Sequence, residues 1–336
     1  MRYVEVDTAK RYSVIGLGTW QFGSREWGYG STYADDESGR IVARARELGV
    51  TVFDTAEVYG FGRSEKILGS ALAATGGTAD VVVATKVFPS WPTASLVTKH
   101  GVASAQRLGV RQLDLYQVHQ PHPVIGDAPT MNGMRRLRDV GVVDEVGVSN
   151  YSLRRWQRAE VAFVGEGQQA YTERARILSN QVQFSLVSRA PLAEMLPWAQ
   201  RTGHIVMAYS PLGQGLLSAR YSATDRPTGG VRAANALFLP ENLDAAKPLL
   251  DVLRVVASAH DATPAQIALA WLVHFPDVVA IPGASSVAQV ESNAAAAEIV
   301  LADDEHAALT AAAEDFRPVT GVSALPALVR GRVRPG

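Results

Sequence analysis

Along the chain, short runs of β-branched and apolar residues recur, and between them lie stretches in which apolar residues return at i, i+3 and i+4. The runs are VIGLGTW (14–20), VTVFDTA (50–56), DVVVATK (80–86), LDLYQVHQ (113–120), DEVGVSN (144–150), LSNQVQFS (178–185), GHIVMAYS (203–210) and DVVAIPG (277–283). Helical stretches include 35–49, 95–109 and 263–275, and Gly49 and Gly109 close the first two. Strands that alternate with helices predict parallel βαβ units, and eight of them predict an α/β fold closed into a (β/α)8 TIM barrel. The alternative is a doubly wound open sheet. No GxGxxG follows an early strand, and GLG at 16–18 is an isolated GxG, which is weak evidence for a dinucleotide fold. MRYVEVDTAKRY alternates around a polar turn and predicts an N-terminal β-hairpin across one end of the barrel. Two longer connections, 211–245 and the tail from about 315, carry Gly, Pro and scattered Phe and Leu, which suits long loops over the carboxyl-terminal face.

Composition adds exclusions. Of 336 residues 47% are apolar and 19% charged, enough to bury a large core. Length alone would suggest two domains, but α/β barrels hold about 250 residues or more as one unit. A single domain over 1–336 is expected. With 32 basic and 33 acidic residues the net charge is −1, and no basic run carries interleaved aromatics, which speaks against a nucleic-acid partner. The chain has no cysteine, which rules out disulfides, thiolate nucleophiles and Cys-based zinc or iron–sulfur sites. The first residues lack the apolar core of a signal peptide, and nowhere do about 18 apolar residues run together, so a cytoplasmic protein with no membrane partner is expected. Oligomeric state is not encoded in any of these features.

The chemistry lies at the strand ends. Asp54 ends the second run, Lys86 the third, His119 the fourth, and Ser149 and Asn150 the fifth; Gln181 falls in the sixth, and Tyr209 and Ser210 end the seventh. Barrel active sites sit at the carboxyl ends of the strands. Taken singly, each residue has an ordinary explanation: a capping Asp, a solvated Lys, a satisfied core His. Three ionisable residues at matching levels of consecutive strands are different, because neighbours there lie about 5 Å apart in a core that excludes unpaired charge. Period two places Val52 with Asp54, and Val82 and Ala84 with Lys86, on the lining side. A phenol is a poor acid at neutral pH, and a nearby ammonium lowers its pKa. Lys86 can supply that charge, and Asp54 is its counter-ion. Tyr59, five residues past Asp54, has enough chain to curl back over the strand ends. With a hydrogen bond from His119, this set suits protonation of the oxyanion formed when hydride adds to a carbonyl.

The motifs GLGTWQFG, FDTAEVYGFGRSEKILG, ATK, LDLYQVHQP, GVSNYS, SNQVQFS, AYSPLGQGLL and VVAIPGASSVAQVESNAAA follow in an order and spacing that resembles the aldo-keto reductase family along nearly the whole chain. The WGYG segment is similar to the pyridoxal-reductase-like and channel-β-subunit-like branches. The resemblance implies a catalytic tetrad of Asp54, Tyr59, Lys86 and His119, with Tyr59 as general acid. It implies a nicotinamide dinucleotide, NADPH with NADH as the alternative, held without a Rossmann domain. Trp20 and Asp54 would border it, and Ser149, Asn150 and Gln181 would surround the carboxamide. Tyr209 would stack on the nicotinamide ring, and Ser210, Pro211, Leu212, Gln214 and Leu216 would follow the pyrophosphate. Ile281, Gly283, Ser285, Gln289 and Asn293 would hold the adenosine and its 2′-phosphate. Loops and helix N-termini after the last two strands are also where barrels bind phosphate. Gly283 and Gln289 stand where many members of the family carry Lys and Arg. A charge-assisted hydrogen bond is roughly twice as strong as a neutral one, so discrimination against NADH is expected to be weaker here.

Trp20, Phe22, Trp27 and Tyr29, with Trp91 and Phe316, are candidates for an aromatic mouth, or else for packing of the loops on each other. The substrate-pocket set is Trp20, Trp27, Tyr59, Trp91 and His119, and the expected substrate is a small carbonyl compound, apolar or ring-bearing. His119 and His122 in HQPH diverge at a strand end with no carboxylate at ligand spacing, so no metal is expected. RRLRD at 135–139 reads as a solvated helix face. Two competing functions are a nicotinamide-binding regulatory barrel with little or no turnover and a metal-dependent barrel hydrolase or isomerase.

Overall fold

The computed structural model describes residues 1–24, 28–30, 34–165, 176–227 and 230–319. Each of the eight apolar runs contains a strand: β3 (Leu17–Gly18), β4 (Val52–Asp54), β5 (Val82–Val87), β6 (Leu113–Val118), β7 (Val143–Ser149), β8 (Ser179–Gln183), β9 (Ile205–Tyr209) and β10 (Val278–Ala280). They pair in parallel and in sequence order. The two edges then meet: Gly16 N–H donates to the Ala280 carbonyl at 2.8 Å, Ala280 N–H to Val14 at 2.9 Å, and Gly18 N–H to Pro282 at 3.0 Å. That seam closes the barrel and leaves no open edge. It requires glycine at residue 18, where a Cβ would lie 2.9 Å from the Ile281 carbonyl oxygen.

Side-chain alternation divides the core into two shells. Val52, Val82, Ala84, Leu115, Leu178, Ile205, Met207, Val279 and Ile281 fill the barrel. Phe53, Val83, Tyr116, Val146 and Val148 point outward and pack with Ile41, Leu68, Leu137, Trp156 and Trp271 of the helices. The N-terminal hairpin forms, with β1 (Tyr3–Val4) antiparallel to β2 (Tyr12–Ser13), and Tyr12 joins the inner shell. Ser13 N–H donates to Thr51 Oγ1 at 2.9 Å, at the start of β4, so the hairpin covers the amino-terminal end, opposite the site.

The surrounding helices are α1 (Asp35–Glu47), α2 (Arg63–Ala74), α3 (Ala94–Leu108), α4 (Ala128–Asp139), α5 (Leu153–Val164), α6 (Met195–Thr202), α7 (Gly230–Ala233), α8 (Pro240–Ala259), α9 (Pro264–Leu272), α10 (Val287–Ala295) and α11 (Asp303–Asp315). Their limits follow local chemistry. Thr93 caps α3, which ends at left-handed Gly109, and Thr263 with Gln266 forms a capping box before Pro264. The stretch 211–245 is more structured than its composition suggests. It holds 3-10 turns at Gly213–Ser218 and Ala236–Phe238, then α7 and the start of α8. Asn242, on α8, donates to the Val319 carbonyl at 2.9 Å and accepts from Val319 N–H at 2.7 Å, which ties this connection to the chain after α11. The rest of the expected tail loop lies outside the described residues. Among the described residues no helix is long and apolar enough to cross a membrane.

Candidate functional site

Asp54 is the last residue of β4, and the β4–β5 register sets it beside Ala84, one inward position below Lys86. Lys86 is fully buried and Asp54 is 2% exposed. Lys86 Nζ lies 2.5 Å from Asp54 Oδ1, 2.8 Å from the Thr55 carbonyl and 3.4 Å from the Tyr59 hydroxyl. The other carboxylate oxygen, Oδ2, accepts from Gln181 Nε2 at 2.8 Å and from Gln117 Nε2 at 3.2 Å. Every oxygen and the ammonium thus have partners, the condition under which a buried ion pair offsets its desolvation. Gln117 is absent from the expected set, although it lies opposite Lys86 in the β5–β6 register. Counting back by two from His119 finds it. Gly147 on β7 makes room for it, since a Cβ there would lie 2.9 Å from Gln117 Cγ.

Electrostatics follow from this packing. Burial pulls the Lys86 pKa down, but Asp54 and then Tyr59 outweigh it and leave the ammonium above its ordinary value. The Tyr59 phenol ends above its ordinary value too: burial raises it, Lys86 opposes, and Asp54 raises it further. The expected lowering by Lys86 is present as one contribution, and desolvation exceeds it. Burial, and then the Lys86 charge, pushes the His119 pKa down to about 3, so the imidazole is neutral near pH 7. Its ring stands edge-on to Tyr59 at 5.6 Å and 85°. His119 Nδ1 is buried without a hydrogen-bond partner among the described residues, the kind of atom a ligand completes.

The other expected residues form two groups. Ser149, Asn150, Gln181 and Tyr209 are linked: Ser149 Oγ donates to the Gln181 carbonyl (2.9 Å), Asn150 Nδ2 to Ser149 Oγ (3.1 Å), and Tyr209 OH to Asn150 Oδ1 (3.0 Å). Asn150 and Ser210 both adopt positive φ, 62° and 49°, as the chain leaves β7 and β9. Pro211 is buried, and the next turn carries Gln214 at φ 56°, whose Oε1 accepts from Asn235 Nδ2 at 2.9 Å. Leu212 is partly buried against the core, and Leu216 and Ile281 are buried within it, which leaves chiefly their backbones to meet a ligand. After β10, Gln289 Oε1 accepts from Ser285 N–H (2.9 Å) and Ser285 Oγ (3.3 Å), and Asn293 Nδ2 donates to the Gly283 carbonyl at 3.4 Å. Gly283 lies under the amide of Gln21, which a Cβ would meet at 1.7 Å. Val287 N–H, in the first turn of α10, donates to Glu37 Oε1 at 3.2 Å, and Glu37 also binds Arg40 at 2.5 Å. Gln21, Glu37 and Arg40 were not among the expected residues, because only barrel closure brings α1 and the first loop to α10.

The aromatic mouth is smaller than expected. Trp20 is half exposed and its ring lies 6.2 Å from Tyr59. Trp91 is 66% exposed, and Trp27 lies outside the described residues. Phe22, Tyr29 and Phe316 are buried in the outer shell and serve packing. Phe88, two residues past Lys86, was not expected. It is half exposed, with its ring 6.1 Å from His119. His122 Nδ1 accepts from Val124 and Ile125 N–H and so belongs to a local turn. Among the described residues no three His, Asp or Glu side chains group as metal ligands would.

The family model described as the aldo/keto reductase family matches residues 14–314. An uncharacterized oxidoreductase of Mycobacterium tuberculosis is 52% identical over 333 residues, 99% of each chain. The chloroplastic pyridoxal reductase of Arabidopsis thaliana is 33% identical over 319 residues, 90% of this chain and 84% of that protein. Among solved structures, the aldo/keto reductase from Klebsiella pneumoniae in complex with NADP and acetate superposes with a TM-score of 0.70 at 28% identity, covering 91% of this chain and 93% of the other.

Proposed function

The chain belongs to the aldo/keto reductase family, and on that premise we propose that it is an NADPH-dependent oxidoreductase that reduces aldehyde or ketone carbonyls to alcohols, with Tyr59 as the general acid. The observation that carries the reading is the fully buried Lys86 ammonium, held between the Asp54 carboxylate and the Tyr59 phenol. When bound, the reduced nicotinamide supplies a hydride to the carbonyl carbon. Tyr59 OH then donates its proton to the carbonyl oxygen, and the phenolate left behind is stabilised by Lys86. Asp54 keeps Lys86 charged and fixed, and Gln117 and Gln181 fix Asp54. His119, neutral at pH 7, hydrogen-bonds the same oxygen and takes no part as an acid. Trp20 and Phe88 flank the Tyr59–His119 pair and favour a flat, ring-bearing carbonyl.

The residues present fit a nicotinamide dinucleotide. His119 Nδ1 is an unsatisfied buried atom beside the reacting position, and Ser149, Asn150, Gln181 and Tyr209 offer amide-matching polar groups next to a half-buried ring. Ser210, Gln214 and the turn that follows would take the pyrophosphate, and Ser285, Gln289 and Asn293 the adenosine end. Neutral Gly283 and Gln289, with the Glu37 carboxylate on Val287 N–H, weaken the hold on a 2′-phosphate and so keep the preference for NADPH over NADH modest.

The test follows NADPH and NADH absorbance over a panel of aldehydes, including aromatic and pyridine carboxaldehydes, for wild type, Tyr59→Phe and Lys86→Met. Tyr59→Phe should lose roughly 10²–10⁴-fold in kcat, the range of general-acid contributions. Lys86→Met should lower kcat much more than cofactor affinity. Turnover of no carbonyl, or turnover untouched by Tyr59→Phe, would defeat the proposal and favour a binding barrel.

A further inference from the structure

Glu57 lies between Asp54 and Tyr59 and has no part in the chemistry above. Its N–H donates to the Lys86 carbonyl at 3.3 Å, one rung beyond the 2.9 Å bond from Thr55 N–H to Ala84, so β4–β5 pairing continues past the end of β4. Its carboxylate Oε1 accepts from Phe88 N–H at 2.7 Å. One residue therefore grips the end of β5 twice, by its main chain at Lys86 and by its side chain at Phe88. The second oxygen, Oε2, is held by His100 Nδ1 at 2.7 Å, with Arg107 at 3.9 Å, both on α3. Arg107 in turn pairs with the buried Glu65 of α2. The Glu57 side chain is only 10% exposed.

Past Glu57 the chain leaves the sheet. Tyr59 N–H bonds back to Ala56, and Gly60, Phe61 and Gly62 follow with φ of 55°, 54° and 83°, three left-handed residues in succession. Among the described residues, this turn reaches β5 through the bond from Lys86 Nζ to the Tyr59 hydroxyl, and beyond the turn Glu65 of α2 accepts from Thr85 Oγ1 of β5 at 2.7 Å. Yet the Tyr59–Lys86 contact, at 3.4 Å, is the longest of the three that Lys86 makes, and a retreat of about half an ångström would end it as a hydrogen bond.

We propose that Glu57 is a positioning residue: it staples the Tyr59 loop to the strand that carries Lys86 and so fixes the separation of phenol and ammonium. This rests on the reading of Tyr59 as proton donor. The charged and titratable groups facing Tyr59 are Lys86, Asp54, His119 and Tyr209; those facing Glu57 are His100, Arg107 and Tyr116. Geometry and charge give opposite signs. A loosened loop takes Tyr59 away from Lys86 and raises its pKa, whereas simple loss of the Glu57 negative charge lowers it.

Two variants separate the effects. Glu57→Gln keeps an acceptor for Phe88 N–H and deletes the charge; Glu57→Ala deletes both. Glu57→Ala should lower kcat roughly 10–100-fold, as sub-ångström misplacement of reacting groups does, with KM and cofactor Kd within about 2-fold. The alkaline limb of its kcat profile should move up in pH, and so should the Tyr59 phenolate titration read without cofactor as the ultraviolet difference between each protein and its Tyr59→Phe partner. Glu57→Gln should recover kcat to within about 3-fold, and its titration should lie at or slightly below the wild-type one, because only the charge is lost. The proposal is overturned by a downward shift common to both variants, by wild-type kcat in Glu57→Ala, or by a kcat loss with no shift of the titration. Should Tyr59→Phe itself stay active, the proton-donor reading fails, while the phenolate titration still reports whether Glu57 sets the geometry.

Discussion

At Asp54 and Lys86 the two halves of one ion pair are not equally supported. Asp54 has two amide donors besides the ammonium, at 2.8 and 3.2 Å, whereas Lys86 has a single carboxylate and otherwise only a carbonyl and a phenol. Deleting one member of a buried pair costs about 3–5 kcal/mol when the other is left uncompensated. Asp54→Asn should therefore approach that range, and Lys86→Met should fall clearly below it, because Gln117 and Gln181 still solvate the carboxylate. Urea midpoints of the two variants decide the point, and equal losses would mean that the amides do not compensate. His119 supplies a second residue-scale test through pH. Its folded pKa is about 3 against an ordinary 6.5, so between these values the unfolded chain binds the extra proton and stability falls as pH falls. His119→Gln lacks that linkage and should shift the acid-unfolding midpoint, followed by circular dichroism, to lower pH. An unchanged midpoint would mean that the imidazole is not held neutral. These pairings were legible in type: a carboxylate, a lysine and a histidine at matching strand ends. Their balance was not, because burial depth decided the direction of the Tyr59 shift and no sequence pattern records depth.

At the scale of elements, the strands were legible as short β-branched apolar runs between helical patterns, and counting by two from the polar strand ends carried the inward residues: Val52 with Asp54, and Val82 and Ala84 with Lys86. The same counting reaches Gln117 from His119, so a neutral amide opposite Lys86 is marked by the pattern as clearly as the ionisable residues are. Gly147 is the complementary mark. A glycine inside a β-strand records close approach by a neighbour, and here a Cβ would stand 2.5 Å from Ser179 Oγ as well as 2.9 Å from Gln117 Cγ. Gly147→Ala should therefore displace Gln117 from Asp54. Overpacking of this kind costs about 1–3 kcal/mol, and both the urea midpoint and kcat should fall. A fall in the midpoint alone would mean that Gln117 does not support the pair. The connection over 211–245 shows little of its structure in the sequence, for the opposite reason. Its short 3-10 turns and α7 have no repeat long enough to register, and they are held by contacts from afar, such as Asn235 on Gln214 and Asn242 on Val319.

Across the whole molecule, closure of the barrel joins residues that the sequence keeps apart. The seam between β3 and β10 lays Gln21 over Gly283, and α1 brings Glu37 to the start of α10. Both contacts bear on the proposed 2′-phosphate end of the cofactor, and they separate two substitutions that look equivalent in sequence. A lysine at residue 283 meets Gln21 at its first carbon, whereas residue 289 sits in the exposed first turn of α10, where its side chain needs only to release Ser285. Gln289→Arg should thus add one charge-assisted hydrogen bond to NADPH, worth about 1.5–3 kcal/mol or roughly 10–100-fold in Kd. Its NADH affinity should stay within about 2-fold, and the gain should shrink as salt rises from 50 to 500 mM, as an exposed ionic contact is screened. Gly283→Lys must first swing the Gln21 amide, the end of a flexible side chain, out of its path, and should gain less alone than when Gln21→Ala has removed it. Tryptophan-fluorescence titration of wild type, Gln289→Arg, Gly283→Lys, Gln21→Ala and the Gln21→Ala/Gly283→Lys double variant with both cofactors measures every term. Equal gains from Gly283→Lys with and without Gln21→Ala would mean that the Gln21 amide does not bar this position, and discrimination would then rest on charge alone.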